Sequence, residues 1–79
     1  MKLPREISGK ELAGLLKRYG YEITRQTGSH MRLTTDQKGV HHITIPNHKS
    51  LKIGTLSSIL SDVAVHFKMD KSDLIEEIF

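Results

Sequence analysis

The sequence predicts an α+β fold: a three-stranded antiparallel sheet covered on one face by two amphipathic helices, with a short third helix at the C-terminal end. Three observations carry this. Leu12, Leu15, Leu16 and Tyr19 recur at i, i+3, i+4 and i+7, and Leu56, Ile59, Leu60, Val63, Ala64 and Phe67 repeat that spacing. Between them, residues 21–45 are rich in β-branched and aromatic side chains and are interrupted by Gly28-Ser29 and Asp36-Gln37-Lys38-Gly39. Each helical stripe is one-sided, so both helices bury their apolar face against the same side of the sheet.

Pro4 precedes the first element. Ser8-Gly9-Lys10-Glu11 reads as a capping box, with Ile7 and Leu12 at the two staple positions. The first helix is expected over residues 9–19, closed by Gly20 in the left-handed conformation. Strands are expected at 21–27, 30–35 and 40–45. Pro46 ends the third, because proline cannot donate to a ladder. Residues 47–53 form a basic loop, Gly54-Thr55 opens the second helix, and Asp70 or Ser72 caps a third that carries Leu74, Ile75, Ile78 and Phe79.

Register follows from parity, since a slip of one residue moves every side chain to the opposite face. A three-residue loop, Gln37-Lys38-Gly39 with Gly39 left-handed, sets Leu33 opposite Ile43 and Met31 opposite Ile45. The same register gathers His30, Arg32, Thr34, His42 and Thr44 on the uncovered face. It sets Pro46 opposite His30, so the loop after Pro46 returns near the start of the second strand. Tyr21 and Ile23 must point inward, which calls for a bulge, expected near Gly28 where glycine makes one cheap. Arg25 then points inward as well, unless the bulge comes earlier.

The 79 residues are read as one domain, 1–79, with a thin core, since a chain this short buries about 60% of its extended surface at best. A partner covering apolar surface would help such a core. There is no cysteine, hence no disulfide and no thiolate zinc ligand. No apolar run approaches membrane-spanning length, and MKLPREISGK is too polar for a signal peptide, so a cytoplasmic location is expected. The net charge of +3 is unevenly spread. Residues 1–52 hold ten basic against four acidic side chains, and residues 53–79 two against five. A basic front half suits a polyanion.

The five histidines are the only acid–base groups suited to neutral pH. His30 follows Gly28-Ser29 at a strand start on the uncovered face, and His48 lies in the basic loop. His42 is further along the uncovered face, His41 is a half-buried structural residue at the rim of the covered face, and His66 favours the negative end of its helix. Adjacent His41 and His42 point to opposite faces and cannot share an ion, so no metal site is expected. G-x-S-x-G is absent, which disfavours a serine hydrolase. RNA cleavage needs no protein nucleophile, because the substrate supplies a 2′-OH. A histidine can take that proton or protonate the leaving oxygen, while cations and backbone N–H groups hold the phosphorane charge. His30, the glycine turn, Arg32 and the Lys49/Lys52 loop meet those needs.

Ser8-Gly-Lys-Glu-Leu12, Gly20, Arg25-Gln-Thr-Gly-Ser-His30, Ile45-Pro-Asn-His48 and Gly54-Thr-Leu-x-x-Ile-Leu60 resemble, in order and spacing, the HicA toxins, small mRNA interferases of toxin–antitoxin pairs. The resemblance covers nearly the whole chain. It implies a double-stranded-RNA-binding-like α-β-β-β-α fold and mRNA cleavage without metal or other cofactor. It also implies a catalytic histidine in Gly-Ser-His, which falls on His30, and a HicB antitoxin that masks the site. Gly28, Ser29, Arg32, His48, Lys49 and Lys52 are the expected RNA contacts. The alternatives are a non-catalytic double-stranded-RNA binder and a protein-interaction module. The first places lysines at the start of its last long helix, whereas residues 54–67 contain no Lys or Arg.

Overall fold

In the computed structural model, residues 3–79 are described; Lys2, counted in the charge of the front half, lies outside the described residues. The chain runs α1 (Gly9–Leu16), a 3₁₀ turn (Lys17–Tyr19), β1 (Glu22–Gln26), β2 (His30–Thr35), β3 (His41–Pro46), α2 (Ile53–His66) and α3 (Lys71–Ile78). The strands form one antiparallel sheet in the order β1-β2-β3, giving the expected α+β fold with α-β-β-β-α order and a C-terminal helix.

The capping box at α1 is complete. The Glu11 amide donates to Ser8 Oγ at 3.0 Å, and the Ser8 amide donates to Glu11 Oε1 at 2.9 Å. That backbone bond, joined by the Ser8 side chain, lowers the Glu11 pKa. Gly9 is needed for a different reason: a Cβ there would overlap the Pro46 carbonyl oxygen and stand 3.2 Å from Ile45 Cγ2. The helix start is thus packed directly on the end of β3. The helix tightens to 3₁₀ over its last three residues and ends at Gly20, φ +82°, where a side chain would also strike Thr35 and Gln37.

Leu33 faces Ile43 and Met31 faces Ile45, as parity required, and His30 faces Pro46. These four apolar side chains are buried with Leu12, Leu16, Leu56, Leu60 and Val63, one continuous core between sheet and helices. Each fully excluded side chain of this kind contributes about 1.5–3 kcal/mol. Gly39 is left-handed as expected, and Lys38 also has positive φ. Pro46 is the last residue of β3 rather than its terminator, since only its missing N–H, not its carbonyl, limits pairing.

Two expectations about β1 need correction. The bulge lies between Ile23 and Arg25, not near Gly28. Thr24 is the unpaired residue, and its hydroxyl bonds to Thr34 Oγ1 at 2.8 Å. Ile23 does face Leu33 but stays 44% exposed on the edge strand β1. Tyr21, just before the strand, is fully buried as expected.

His66 does more than sit near a helix end. Its ring stacks on His41 at 4.4 Å and 10° between planes, and its Nε2 lies 2.9 Å from the Gln37 carbonyl oxygen. His41 is half-buried at the rim as expected. Its Nδ1 is 2.6 Å from the Tyr21 hydroxyl and its Nε2 is 3.5 Å from Asp62. The two rings therefore clamp the β2–β3 hairpin to the end of α2. Burial, followed by the charge of Asp62, pushes the Tyr21 phenol well above its ordinary pKa. In the same aromatic cluster, Tyr19 packs edge-on to Phe67, which also touches His66 and Tyr21; the Tyr19 hydroxyl donates to Glu77 Oε1 at 2.6 Å and holds α3, whose Asp70 N-cap makes no side-chain cap. Burial, with Glu77 as hydrogen-bond acceptor and charge, pushes Tyr19 up to about 12.

Candidate functional site

His30 opens β2 on the uncovered face and is exposed. A tight turn sets it there. The Thr27 amide donates to the His30 carbonyl at 2.9 Å, and the His30 amide donates to Thr27 Oγ1 at 3.3 Å. Ser29 Oγ lies 3.0 Å from His30 Nδ1. Among the described residues, Nε2 has no hydrogen-bond partner, so one ring nitrogen is held and the other faces solvent. Such a ring has a defined orientation and a free nitrogen to exchange a proton.

The bulge at Thr24 decides what stands beside it. Because the extra residue comes early in β1, Arg25 pairs with Arg32, and Arg32 pairs with Thr44. Both arginines are exposed on the uncovered face, two residue pairs in from His30. Among the described residues neither has a carboxylate within salt-bridge distance. Like charges directly opposite one another on a sheet are destabilising, so the pair fits best with an anion between them. Nothing in the residue types of β1 gives the bulge position away, which is why the Arg25 orientation was not legible beforehand.

Pro46 and the loop after it return to this end of the sheet as expected. The Asn47 amide donates to the Ser29 carbonyl at 2.9 Å, tying the loop to the Gly28-Ser29 turn. The loop then runs along the N-terminal segment, with the Gly9 amide on the His48 carbonyl at 2.9 Å and the Leu51 amide on the Ile7 carbonyl at 2.8 Å. The side chains of His48, Lys49 and Lys52 are exposed, and Lys52 is the N-cap position of α2. No hydrogen bond joins the His48 ring to His30 among the described residues. Gly28 is exposed, has no positive φ, and a Cβ there would meet nothing within 4 Å. Neither strain nor internal crowding requires a glycine at that place.

His42 stands at the far end of the same face, opposite Thr34 rather than the arginines. Its Nδ1 is 2.8 Å from Thr34 Oγ1, which continues to Thr24. Between β2, β3 and the first turns of α2 lies an open groove of about 490 Å³, on whose wall His30 stands. Among the described residues no three His, Asp or Glu side chains gather as a metal-ligand set, and no helix is long and apolar enough to cross a membrane.

The family model described as HicA toxin of bacterial toxin–antitoxin matches residues 9–65. A search of curated proteins found no match, and a search of solved structures found none. The matched span runs from the first residue of α1 to the last turn of α2 and contains the Thr27–His30 turn, both arginines and the returning loop; α3 lies beyond it. Sequence match and α-β-β-β-α order agree, and the chain belongs to the HicA toxin family, the toxin side of a bacterial toxin–antitoxin pair.

Proposed function

We propose that this toxin is an endoribonuclease that cleaves mRNA without a metal ion, with His30 as the acid–base group. The reading is supported above all by one arrangement: an exposed imidazole with Nδ1 on Ser29, beside two arginines, where among the described residues neither Nε2 nor either guanidinium has a partner. In the reaction, His30 takes the proton of a ribose 2′-OH as that oxygen attacks the adjacent phosphorus. The P–O5′ bond breaks, leaving a 2′,3′-cyclic phosphate and a 5′-hydroxyl end, the O5′ oxygen taking up a proton. Arg32 and Arg25 balance the charge of the pentacoordinate phosphorus. Gly28 and Ser29 let the RNA backbone come close to the turn, and His48, Lys49 and Lys52 extend the cationic track.

A HicB-type antitoxin that masks this same face completes the reading. The face is basic and uncovered, so an acidic surface on that partner would meet it. The duplex-RNA alternative is disfavoured by α2, which has no Lys or Arg to span two phosphate rows.

The test is expression of wild type and His30→Ala under a tight promoter, with mapping of RNA ends. Wild type arrests growth and yields 2′,3′-cyclic phosphate ends in the presence of a chelator, while His30→Ala does neither. Equal toxicity of the two proteins, or tight duplex-RNA binding without new ends, refutes the proposal.

A further inference from the structure

The groove beside His30 differs in chemistry from the arginine face. Among the described residues its lining includes no Lys, Arg, Asp or Glu. Thr44, Thr55 and Ser58 line it, and among the described residues no hydrogen bond within the chain engages any of their three hydroxyls. The Thr24, Thr34, Thr35, Ser57 and Ser61 hydroxyls, by contrast, are all internally bonded. The apolar part of the lining comes from Pro46 and the buried Ile59. Gly54, on its edge, lies in the first turn of α2 with ordinary helical backbone, and a Cβ there would meet nothing within 4 Å. A glycine in a helix is unfavourable relative to alanine, and no neighbour in the fold requires this one. Its missing side chain keeps the groove open.

A phosphate would be held by charge, and the charge is on the arginine side of His30. An uncharged slot with an apolar floor and unpaired hydroxyls on its walls suits a flat polar heterocycle, stacked on the floor and hydrogen-bonded at its edge. We propose that this groove is a nucleobase subsite, taking one unpaired base of the RNA next to the phosphate that His30 and the arginines engage. The inference rests on the ribonuclease reading and adds to it a base-binding site and a place where sequence preference is set. A base inside a duplex is stacked and paired and could not enter.

Two measurements test it. In the first, a pool of unstructured RNA is cleaved by wild type, Thr55→Val and Ser58→Ala, and the nucleotide frequencies flanking each cut are compared. Loss of one wall hydroxyl is expected to change the preference at one flanking position by roughly 2- to 12-fold, the worth of a single hydrogen bond. In the second, wild type and Gly54→Leu are titrated with each of the four ribonucleoside 5′-monophosphates while backbone amide resonances are followed. Amides 54–59 of wild type are expected to shift with an affinity that depends on the base. Gly54→Leu, which fills the groove and strengthens helix propensity, loses those shifts with its melting temperature kept. Unchanged cleavage preference in both hydroxyl variants, or shifts at 54–59 that are absent or the same for all four bases, overturns the subsite. If wild type cuts no RNA but binds the nucleotides base-selectively, the ribonuclease reading fails and the subsite stands. If it cuts RNA with the groove amides silent, the subsite fails and the ribonuclease reading stands.

Discussion

Gly9 and Gly14 lie in the same helix, and replacing each with alanine should have opposite effects. Gly9→Ala sets a methyl group against the Pro46 carbonyl oxygen, with Ile45 Cγ2 at 3.2 Å behind it. The obstacle is backbone, so no rotamer change relieves it. Overpacking of this kind costs roughly 1–3 kcal/mol, and a backbone clash belongs at the upper end. Alanine returns up to about 1 kcal/mol of helix propensity, leaving a net loss near 2 kcal/mol. Gly14 has nothing within 4 Å, so Gly14→Ala keeps the propensity gain, about 0.5–1 kcal/mol. For a chain of this size 1 kcal/mol moves the melting temperature by about 4–8 °C. Gly9→Ala should therefore melt roughly 8–16 °C lower, and Gly14→Ala about 2–8 °C higher, by circular dichroism with urea titrations as a check. Because Pro46 faces His30 and lines the groove, Gly9→Ala should also slow any RNA cleavage at temperatures where it remains folded. Equal melting temperatures for the two variants would refute the claim that α1 is docked on the end of β3 by close backbone contact.

Four further outcomes follow from the same geometry. His41→Phe removes the partner of the buried Tyr21 hydroxyl and should cost about 1–3 kcal/mol in urea titration. Combining it with Tyr21→Phe should recover part of that loss, and strict additivity of the two would contradict the bond. Tyr19 has its pKa raised, so folding favours the neutral phenol. Its contribution is complete below about 10 and is lost as pH rises towards about 12, and Tyr19→Phe should show a shallower fall in stability across that window. Glu11 has its pKa lowered, so its contribution is present above the ordinary carboxylate value and is lost as pH falls; Glu11→Gln should flatten the acid side of the stability profile. Arg25→Gln should weaken binding of single-stranded RNA, measured on His30→Ala protein, and reduce the slope of log affinity against log salt by roughly 0.7. An unchanged slope would place Arg25 outside the RNA track.

The helices, the hairpin register and the face on which His30 stands are each consequences of local periodicity, and were legible for that reason. Stripes at 3.6-residue spacing leave one choice of buried face, and the strict two-residue period of a strand turns one turn geometry into a full assignment of inside and outside. Leu33 against Ile43 therefore carries His30 and Arg32 to the uncovered side. The capping box was equally readable, because its two hydrogen bonds close over three residues.

By itself the sequence determined the element order, the covered face and the imidazole left uncovered, because neighbours a few residues apart settle those features. Tertiary structure alone decided that the bulge falls at Thr24 and brings Arg25 beside Arg32, that His66 stacks on His41, and that Thr55 and Ser58 share a groove with His30. Each of these depends on how far one element slides or twists against another distant in the chain. That displacement is set by the sum of many small packing contacts across the core, and no single residue or spacing records it.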